Sequence, residues 1–270
     1  MSVIQGILLG FLQGVAEFLP ISSSGHLALV QNIFGLNDVP LLFDIFLHIA
    51  TLAAVCLYFW RKIWNLLKVL GRWITKNKEY KEQDAAERTT IIAIIISTAI
   101  TAVLGIFISK LLPSLSIKVT CAGFLVTALL LILSSKIKKT GSDLPAKPVS
   151  PIQAVIIGIM QGIGTLPGIS RSGSTISGAL FCGVDQKIAG DYSFIVSIPA
   201  ILGAFILELK DLGEVSETVG AAPIIAGCAA AFAVGYISLT YLMKLIRKGK
   251  LQWFAAYLIP LGIAGMIFLK

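Results

Sequence analysis

Residues 10–26 read GFLQGVAEFLPISSSGH, and residues 158–175 read GIMQGIGTLPGISRSGST. Both stretches contain the ordered series Gly-x-x-Gln-Gly, Leu-Pro and Ser-x-Ser-Gly, and its glutamine and its last glycine are equally far apart in both. Shared composition alone would not keep this order and spacing. The two stretches therefore indicate an internal repeat, which is the first feature to look for in a sequence.

Each copy of the repeat interrupts an apolar region, residues 3–35 and residues 152–184. A helix needs about 20 apolar residues to cross a bilayer, so neither half of either region is long enough to span it alone. We expect each region to form a helical hairpin that enters and leaves the membrane by the same face. The alternative is one long span kinked at its proline, which membranes tolerate.

The remainder of the chain is dominated by apolar segments. Of the 270 residues, 56% are hydrophobic and 13% are charged, whereas about a quarter of the residues in a typical soluble domain carry charge. Six segments are predicted to span the membrane completely: 41–60, 90–112, 117–135, 189–209, 221–243 and 252–269.

The basic residues indicate how these segments are oriented. Eight Lys or Arg residues lie in 61–88, four in 136–147 and four in 244–250, and the intervening loops carry few. The positive-inside rule places these clusters in the cytoplasm, and the N-terminus and first hairpin outside. Three predicted spans separate the two hairpins, so the second hairpin must enter from the cytoplasmic face.

The predicted fold is an all-α polytopic membrane protein, with six full spans and two re-entrant helical hairpins in an inverted-topology repeat. We expect a single integral membrane domain over 1–270. Repeat 1 covers about 1–135 and repeat 2 about 151–270, and a cytoplasmic loop, 136–150, joins them.

The net charge of +8 does not indicate nucleic-acid binding, because the basic residues flank apolar spans and no aromatic-basic surface accompanies them. The four cysteines lie singly inside apolar segments and lack the spacing of metal ligands. We expect them to be buried thiols that behave as small hydrophobic side chains.

The second loop has the residue types of an anion site. Arg171 lies between Ser170 and Ser172, and Gly173 and Thr175 follow. Backbone N–H groups at a helix start, hydroxyl groups and a guanidinium together favour phosphate. The alternative is that Arg171 only neutralises a structural carboxylate, Glu17.

The first loop carries a second set of polar residues. Gln13 and Glu17 share one helix face, which points toward Ser22, Ser23 and His26. A carboxylate beside hydroxyls and an imidazole is suited to hold a divalent cation, to act as a base or to activate a serine. The alternative is that the serines only cap the following helix.

A further polar pair lies in the first predicted span. Asp44 and His48 are one helical turn apart. The aspartate either orients the histidine for a function or forms a self-contained structural pair with it, and the sequence leaves both open.

At these loops the chain resembles the undecaprenyl-diphosphate phosphatase family, also called the bacitracin-resistance family. The resemblance lies in QGVAEFLPISSSGH at 13–26, PGISRSGST at 167–175 and FDIFLH at 43–48, and the arrangement of spans extends it over nearly the whole chain. It implies hydrolysis of undecaprenyl diphosphate to the monophosphate and inorganic phosphate, dependent on a divalent cation such as Mg²⁺ or Ca²⁺. It also implies recycling of the lipid carrier for cell-wall synthesis, bacitracin resistance, and an active site open to the outer face of the bacterial cytoplasmic membrane.

The resemblance also implies roles for individual residues. Its essential glutamate is Glu17, which could also hold the metal; its motif serines are Ser22 and Ser23, and its histidine is His26. The second motif supplies Ser170, Arg171 and Thr175. Many members have glutamate at the position of Gln13, so Gln13, like Asp44 and His48, is expected to support the site and not to carry its chemistry.

The mechanism expected from these residues has Arg171 and the loop amides holding the diphosphate. The other residues expected to bind phosphate are Ser22, Ser170, Ser172, Gly173 and Thr175. Glu17 activates the nucleophile, Ser23 is the candidate nucleophile and His26 is its acid/base partner. Direct attack by water and phosphoryl transfer to His26 stay open.

The main alternative function is a secondary transporter or flippase for an anionic or lipid-phosphate substrate, because such proteins also use inverted repeats with broken helices. The expected partners are the polyprenyl diphosphate lipid and the bilayer but no nucleic acid, and a homodimer is left open.

Overall fold

A computed structural model describes residues 1–35, 41–76, 82–111, 115–137, 147–208 and 219–269. The described residues form helices and connecting turns without any β-strand. The helices are α1 Val3–Phe18, α2 Ser23–Ile33, α3 Leu41–Tyr58, α4 Trp60–Ile74, α5 Ala85–Leu111, α6 Ile117–Ser135, α7 Pro151–Ile163, α8 Arg171–Phe181, α9 Gln186–Glu208, α10 Ala221–Lys248 and α11 Gln252–Phe268.

The chain is an all-helical, multi-pass membrane protein. Within the described part of the chain, four helices are long and apolar enough to cross a bilayer: α5, α6, α9 and α10. A fifth candidate combines α3 with α4, although the two are bent by 81° at their junction. α11 matches the last predicted span in position but has 17 residues, so its length alone does not establish a sixth span.

The region after the first predicted span differs from the prediction. Residues 61–88 were expected to be a basic connection between spans, but α4 occupies the first half of this stretch as a helix. The predicted linker 136–150 lies mostly outside the described residues, as do the acidic residues of the predicted loop after residue 209.

The two repeat copies begin with the same capping pattern. Ser2 accepts a hydrogen bond from the backbone of Gln5, whose side chain accepts one from the backbone of Ser2, and Ser150 and Gln153 form the same capping box at the start of α7. Such reciprocal bonds satisfy N–H groups that a helix start leaves without partners. This serine–glutamine pair extends the repeat toward its N-terminal side.

Helix α1 and helix α7 enter the bundle from opposite ends. α1 packs parallel to α10 through glycines, because a Cβ on Gly6 would lie 2.5 Å from the Pro223 carbonyl oxygen, and one on Gly10 would lie 2.0 Å from that of Gly227. α7 packs along the middle of α5, where Ser97 donates to the carbonyl of Ala154 at 2.7 Å and a Cβ on Gly162 would lie 2.6 Å from the Leu104 side chain.

A small cavity of about 190 Å³ is lined by residues near the starts of four helices, including Lys62, Glu87, Pro148 and Ile188. The starts of α4, α5, α7 and α9 therefore lie at one end of the bundle. α1 starts at the other end, beside the start of α10, so the chain breaks of the two hairpins meet inside the molecule.

Candidate active site

Glu17 is the centre of the polar cluster at which the two hairpins meet. It is buried, with 6% of its surface exposed, and it lies in the last turn of α1 because Pro20 prevents the helix from continuing. Ser23 Oγ donates to its Oε2 atom at 2.7 Å, and Gln13 Nε2 donates to the same atom at 2.9 Å. Arg171 forms an ion pair with Oε1 from the opposite hairpin.

Arg171 is placed by the start of α8. Ser170 caps this helix by accepting a hydrogen bond from the Gly173 N–H at 3.0 Å, and Ser172 Oγ donates to the Phe18 carbonyl at 3.1 Å. The second bond fixes the first turn of α8 to the end of α1. The ion pair between Arg171 and Glu17 is therefore held by the backbones on both sides.

Ser22 has the same position in the first hairpin. It caps α2 by accepting a hydrogen bond from the Gly25 N–H at 3.3 Å. Its φ of 70° lies in the left-handed region, where a residue with a side chain is strained, and such strain is often concentrated at functional sites. The starts of α2 and α8 thus carry equivalent caps, and each is followed by a residue that bonds Glu17.

A cavity of about 660 Å³ opens beside this cluster. Its polar wall contains half of the predicted site residues, namely Glu17, Ser22, Ser23, His48, Ser170 and Arg171, together with Ser24. Its remaining wall is formed mainly by apolar and small residues of α5 and α9.

Three of the predicted phosphate-binding residues do not line this cavity: Ser172, Gly173 and Thr175. Thr175 Oγ1 donates to the Arg171 carbonyl at 2.9 Å and bonds Ser193 Oγ on α9. The side chains of Ser172 and Thr175 thus hold α8 against α1 and α9.

The two histidines are placed differently from the expectation. His26 does not line the cavity; its Nδ1 atom lies 2.8 Å from the Ser22 carbonyl and its Nε2 atom 2.9 Å from the Tyr257 hydroxyl. Because a carbonyl only accepts, Nδ1 donates, and in a neutral ring Nε2 accepts from the tyrosine. Both ring nitrogens are therefore engaged away from Ser23.

His48 lines the cavity instead, and its Nε2 atom lies 3.3 Å from Glu17 Oε2. Its Nδ1 atom contacts the backbone carbonyl of Asp44 at 2.7 Å, while the Asp44 carboxylate accepts from Gln31 at 2.9 Å. Asp44 thus positions His48 through its main chain.

Tyr257 was not found by sequence reasoning. It lies on α11, far along the chain from His26, and no motif surrounds it. The available signal was weak: a tyrosine hydroxyl within an apolar helix generally needs a hydrogen-bond partner.

Among the described residues, no three His, Cys, Asp or Glu side chains converge as a set of metal ligands. Glu17 is the only carboxylate among the described residues that line the cavity, and serine hydroxyls surround it. These oxygen ligands suit a hard cation such as Mg²⁺, which usually takes one or two carboxylates and completes its shell with water and substrate phosphates.

Comparison with known proteins identifies the family. The family model described as bacitracin resistance protein BacA matches residues 6–264. The chain belongs to this family.

Similar members of the BacA family include an undecaprenyl-diphosphatase of Treponema denticola, which is 51% identical over 99% of this chain and 98% of the relative. An undecaprenyl-diphosphatase of Borrelia recurrentis is 36% identical over 96% of each chain, and one of Desulforapulum autotrophicum is 38% identical over 99% of this chain and 98% of the relative.

Proposed function

We propose that this chain is an undecaprenyl-diphosphatase, a membrane hydrolase that converts undecaprenyl diphosphate to undecaprenyl phosphate and inorganic phosphate. The BacA family and the names of its similar relatives support this activity. The observation that carries the proposal is the contact of Ser23 and Arg171, from separate hairpins, with the carboxylate of Glu17 in the wall of one cavity. In a bacterial cytoplasmic membrane this reaction recycles the lipid carrier for cell-wall synthesis and confers bacitracin resistance.

Arg171 is proposed to bind the diphosphate. Its Nη1 atom is buried and has no hydrogen-bond partner among the described residues, although Nη2 is paired with Glu17. A buried guanidinium donor without a partner is costly, and a phosphate oxygen would satisfy it. A guanidinium engaged only in neutralising Glu17 would leave this donor unexplained.

The starts of α2 and α8 are proposed to complete the phosphate site. Ser22, Ser23, Ser24, Ser170 and Arg171 all contribute to the cavity wall, so both helices direct their first turns toward it. The N–H groups and dipole of a helix start favour anions, and two such ends facing one cavity suit a substrate with two phosphates.

Ser23 is proposed as the nucleophile and Glu17 as its base. The Ser23 hydroxyl already donates to Glu17 Oε2 at 2.7 Å, so the proton passes to the carboxylate as Ser23 Oγ attacks the terminal phosphorus. The phosphoanhydride bond breaks, and undecaprenyl phosphate leaves. Water then cleaves the phosphoserine to release inorganic phosphate, and the Glu17 proton returns to Ser23.

A divalent cation held by Glu17 would neutralise phosphate charge in this reaction. A single carboxylate favours Mg²⁺ over Ca²⁺, because Ca²⁺ usually takes six to eight oxygen ligands. His48 faces the same carboxylate and helps to fix its orientation.

The prenyl chain is proposed to leave the cavity between α5 and α9. The wall there includes Ile106 of α5 and Leu207 of α9, which are 46% and 60% exposed on the surface of the molecule. Gly203, next to them, has no atom within 4 Å of the place a Cβ would take. The opening therefore faces the side of the bundle, where lipid would lie.

The two hairpins are proposed to be re-entrant, in an inverted-topology repeat with six full spans. The opposed entry of α1 and α7 into the bundle supports this arrangement, and the clusters of basic residues favour placing the start of α7 in the cytoplasm. The active site would then be open to the outer face.

Phosphate release from undecaprenyl diphosphate by the purified protein in detergent tests this function. In detergent no membrane separates two compartments. A flippase that does not hydrolyse its substrate would therefore release no phosphate. The wild type should release phosphate, and Glu17→Ala and Arg171→Ala should each lower kcat about 100-fold or more. Glu87→Ala, which removes a carboxylate outside this cavity, serves as the control, and near-normal turnover in either site variant would remove that residue from the mechanism.

A further inference from the structure

Helix α4 carries an apolar stripe that no other part of the described chain covers. The stripe consists of four side chains at helical spacing, each with more than half of its surface exposed: Trp60, Trp64, Leu67 and Ile74. Gly71 lies within the stripe, and a Cβ there would meet no atom within 4 Å.

The opposite face of α4 is fixed to the helix bundle. Leu66 and Val69 are buried, and Lys62 forms an ion pair with Asp191 at the start of α9, at 3.0 Å. Arg72 donates two hydrogen bonds to Asp84, which hold the pKa of that carboxyl below its ordinary value. The exposed stripe is therefore a fixed part of the folded surface.

Two basic side chains border the stripe without an acidic partner in the described part of the chain. Arg61 lies over the ring of Trp60, with its guanidinium carbon 5.5 Å from the ring centre, and Lys68 Nζ lies 5.7 Å from the ring centre of Trp64. The two are two helical turns apart, so they follow one side of the stripe.

The direction of α4 suits a membrane surface. It is bent by 81° from α3, so it runs nearly perpendicular to an apolar helix of the bundle. A helix lying in the interface has one apolar face rich in Trp and Leu and a polar face rich in Lys and Arg. Tryptophan favours the level of the lipid headgroups.

We propose that α4 is an in-plane interfacial helix that binds anionic phospholipid. Trp60, Trp64, Leu67 and Ile74 insert among the acyl chains next to the headgroups, and Arg61 and Lys68 bind the headgroup phosphates. Anionic lipid is the occupant that the charge favours, because residues 61–88 contain eight Lys or Arg against four Asp or Glu, and each basic residue near an anionic surface adds to binding. This lipid site is separate from the cavity that contains Glu17.

Tryptophan quenching in nanodiscs tests the insertion. The contribution of Trp60 and Trp64 is the fluorescence of the wild type minus that of a Trp60→Phe/Trp64→Phe variant of the full-length protein. Lipids brominated near the headgroup end of their chains should quench this contribution, and aqueous acrylamide should quench it little. Quenching by acrylamide alone, or protection from both quenchers as under a second copy or another protein, would overturn the insertion.

Two substitutions at Gly71, one apolar and one acidic, test the exposed face of α4 without removing any native contact. Gly71→Leu should keep or increase the quenching by brominated lipid, whereas Gly71→Glu should reduce it, because a carboxylate would be placed within the apolar stripe beside anionic headgroups. Equal quenching in the two variants would contradict the proposal.

Native mass spectrometry of the protein, with phosphatidylglycerol and phosphatidylcholine supplied in equal amounts, tests the headgroup site. The wild type should retain phosphatidylglycerol preferentially, and Arg61→Gln/Lys68→Gln should lower that preference about tenfold. Lys110→Gln/Lys118→Gln, which removes the same charge from exposed residues at the α5–α6 connection, should keep it. Unchanged preference in the α4 variant, or an equal loss in both, would overturn the assignment of Arg61 and Lys68.

Discussion

Ser23 and Arg171 occupy equivalent positions in the two repeat copies, one residue after a serine that caps a helix. Glu17 lies in the last turn of α1, whereas copy two has Thr165 at the equivalent position, just after the end of α7. One carboxylate therefore accepts bonds from both hairpins: a serine hydroxyl from its own copy and a guanidinium from the other. In the proposed mechanism, this asymmetry gives the nucleophile to one loop and the phosphate-binding guanidinium to the other.

Two serine-to-alanine variants, one inside and one outside the cavity, test whether Ser23 is the nucleophile. Ser23→Ala should lower kcat for phosphate release about 100-fold or more, because the nucleophile is lost. Ser135→Ala should stay within about threefold of the wild type, because Ser135 lies at the end of α6 outside the cavity and its hydroxyl donates to the Ile132 carbonyl of the same helix, at 2.7 Å. Phosphate release by purified variants measures both, and normal turnover in Ser23→Ala would assign the attack to water.

At the residue scale, motif spacing predicted which residues share a helix face, but it did not predict the side-chain directions of the two histidines. Gln13 and Glu17 share a helix face as expected, and Arg171 meets Glu17. The directions of His26 and His48 depend on Tyr257 and on the Asp44 carbonyl. Those contacts are set by tertiary packing, which a local pattern in one sequence does not contain.

At the scale of elements, the second hairpin depends on a close approach of its loop to α6. Gly168 has a φ of 84°, and a Cβ there would lie 1.9 Å from the Thr120 carbonyl oxygen. The loop is also held by Thr127, whose Oγ1 donates to the Gly168 carbonyl at 3.1 Å. A side chain at Gly168 would displace the loop that carries Arg171.

Gly168→Ala should therefore lower both thermal stability and phosphate release. Gly183→Ala is the matched control, because Gly183 also has a positive φ, 75°, but no atom within 4 Å of a Cβ. Gly183→Ala also places a side chain in the left-handed region, which costs about 1–2 kcal/mol, but its Cβ meets no neighbouring atom. Thermal unfolding in detergent compares them, and an equal loss of stability would show that the contact with α6 is unimportant.

Helix α4 was not predicted from the sequence. Its charge identified a region between spans, but the same residues, WRKIWNLLKVLGRWI, also place apolar side chains on a helical stripe. Hydropathy averaged over a span-length window does not register a short amphipathic helix, whereas its periodicity does.

At the scale of the whole molecule, the fold joins the proposed phosphate site to a lateral opening, which is the route proposed for the prenyl chain. The opening between α5 and α9 is bordered by small residues, including Gly105, Ala200 and Gly203. The polar cluster is set by the two repeats, and the route from it to the surface depends on how spans from both halves pack. The repeats could be predicted from the sequence, but this packing could not.

Gly203→Leu should narrow the opening without a clash in the folded protein. Phosphate release from undecaprenyl diphosphate should fall about tenfold or more, while release from a soluble short-chain prenyl diphosphate should change less than about threefold, since its tail need not pass α9. Gly71→Leu, also at a helical glycine with open space, is the control. Equal losses for the two substrates in Gly203→Leu would contradict this route.

The position of a bound diphosphate is the most direct test of the account. An experimental structure with a non-hydrolysable undecaprenyl methylenediphosphonate should show one phosphonate group within hydrogen-bond distance of Arg171 Nη1, with its phosphorus facing Ser23 Oγ. Density for the phosphonates elsewhere, with Arg171 and Glu17 still paired only to each other, would contradict the account.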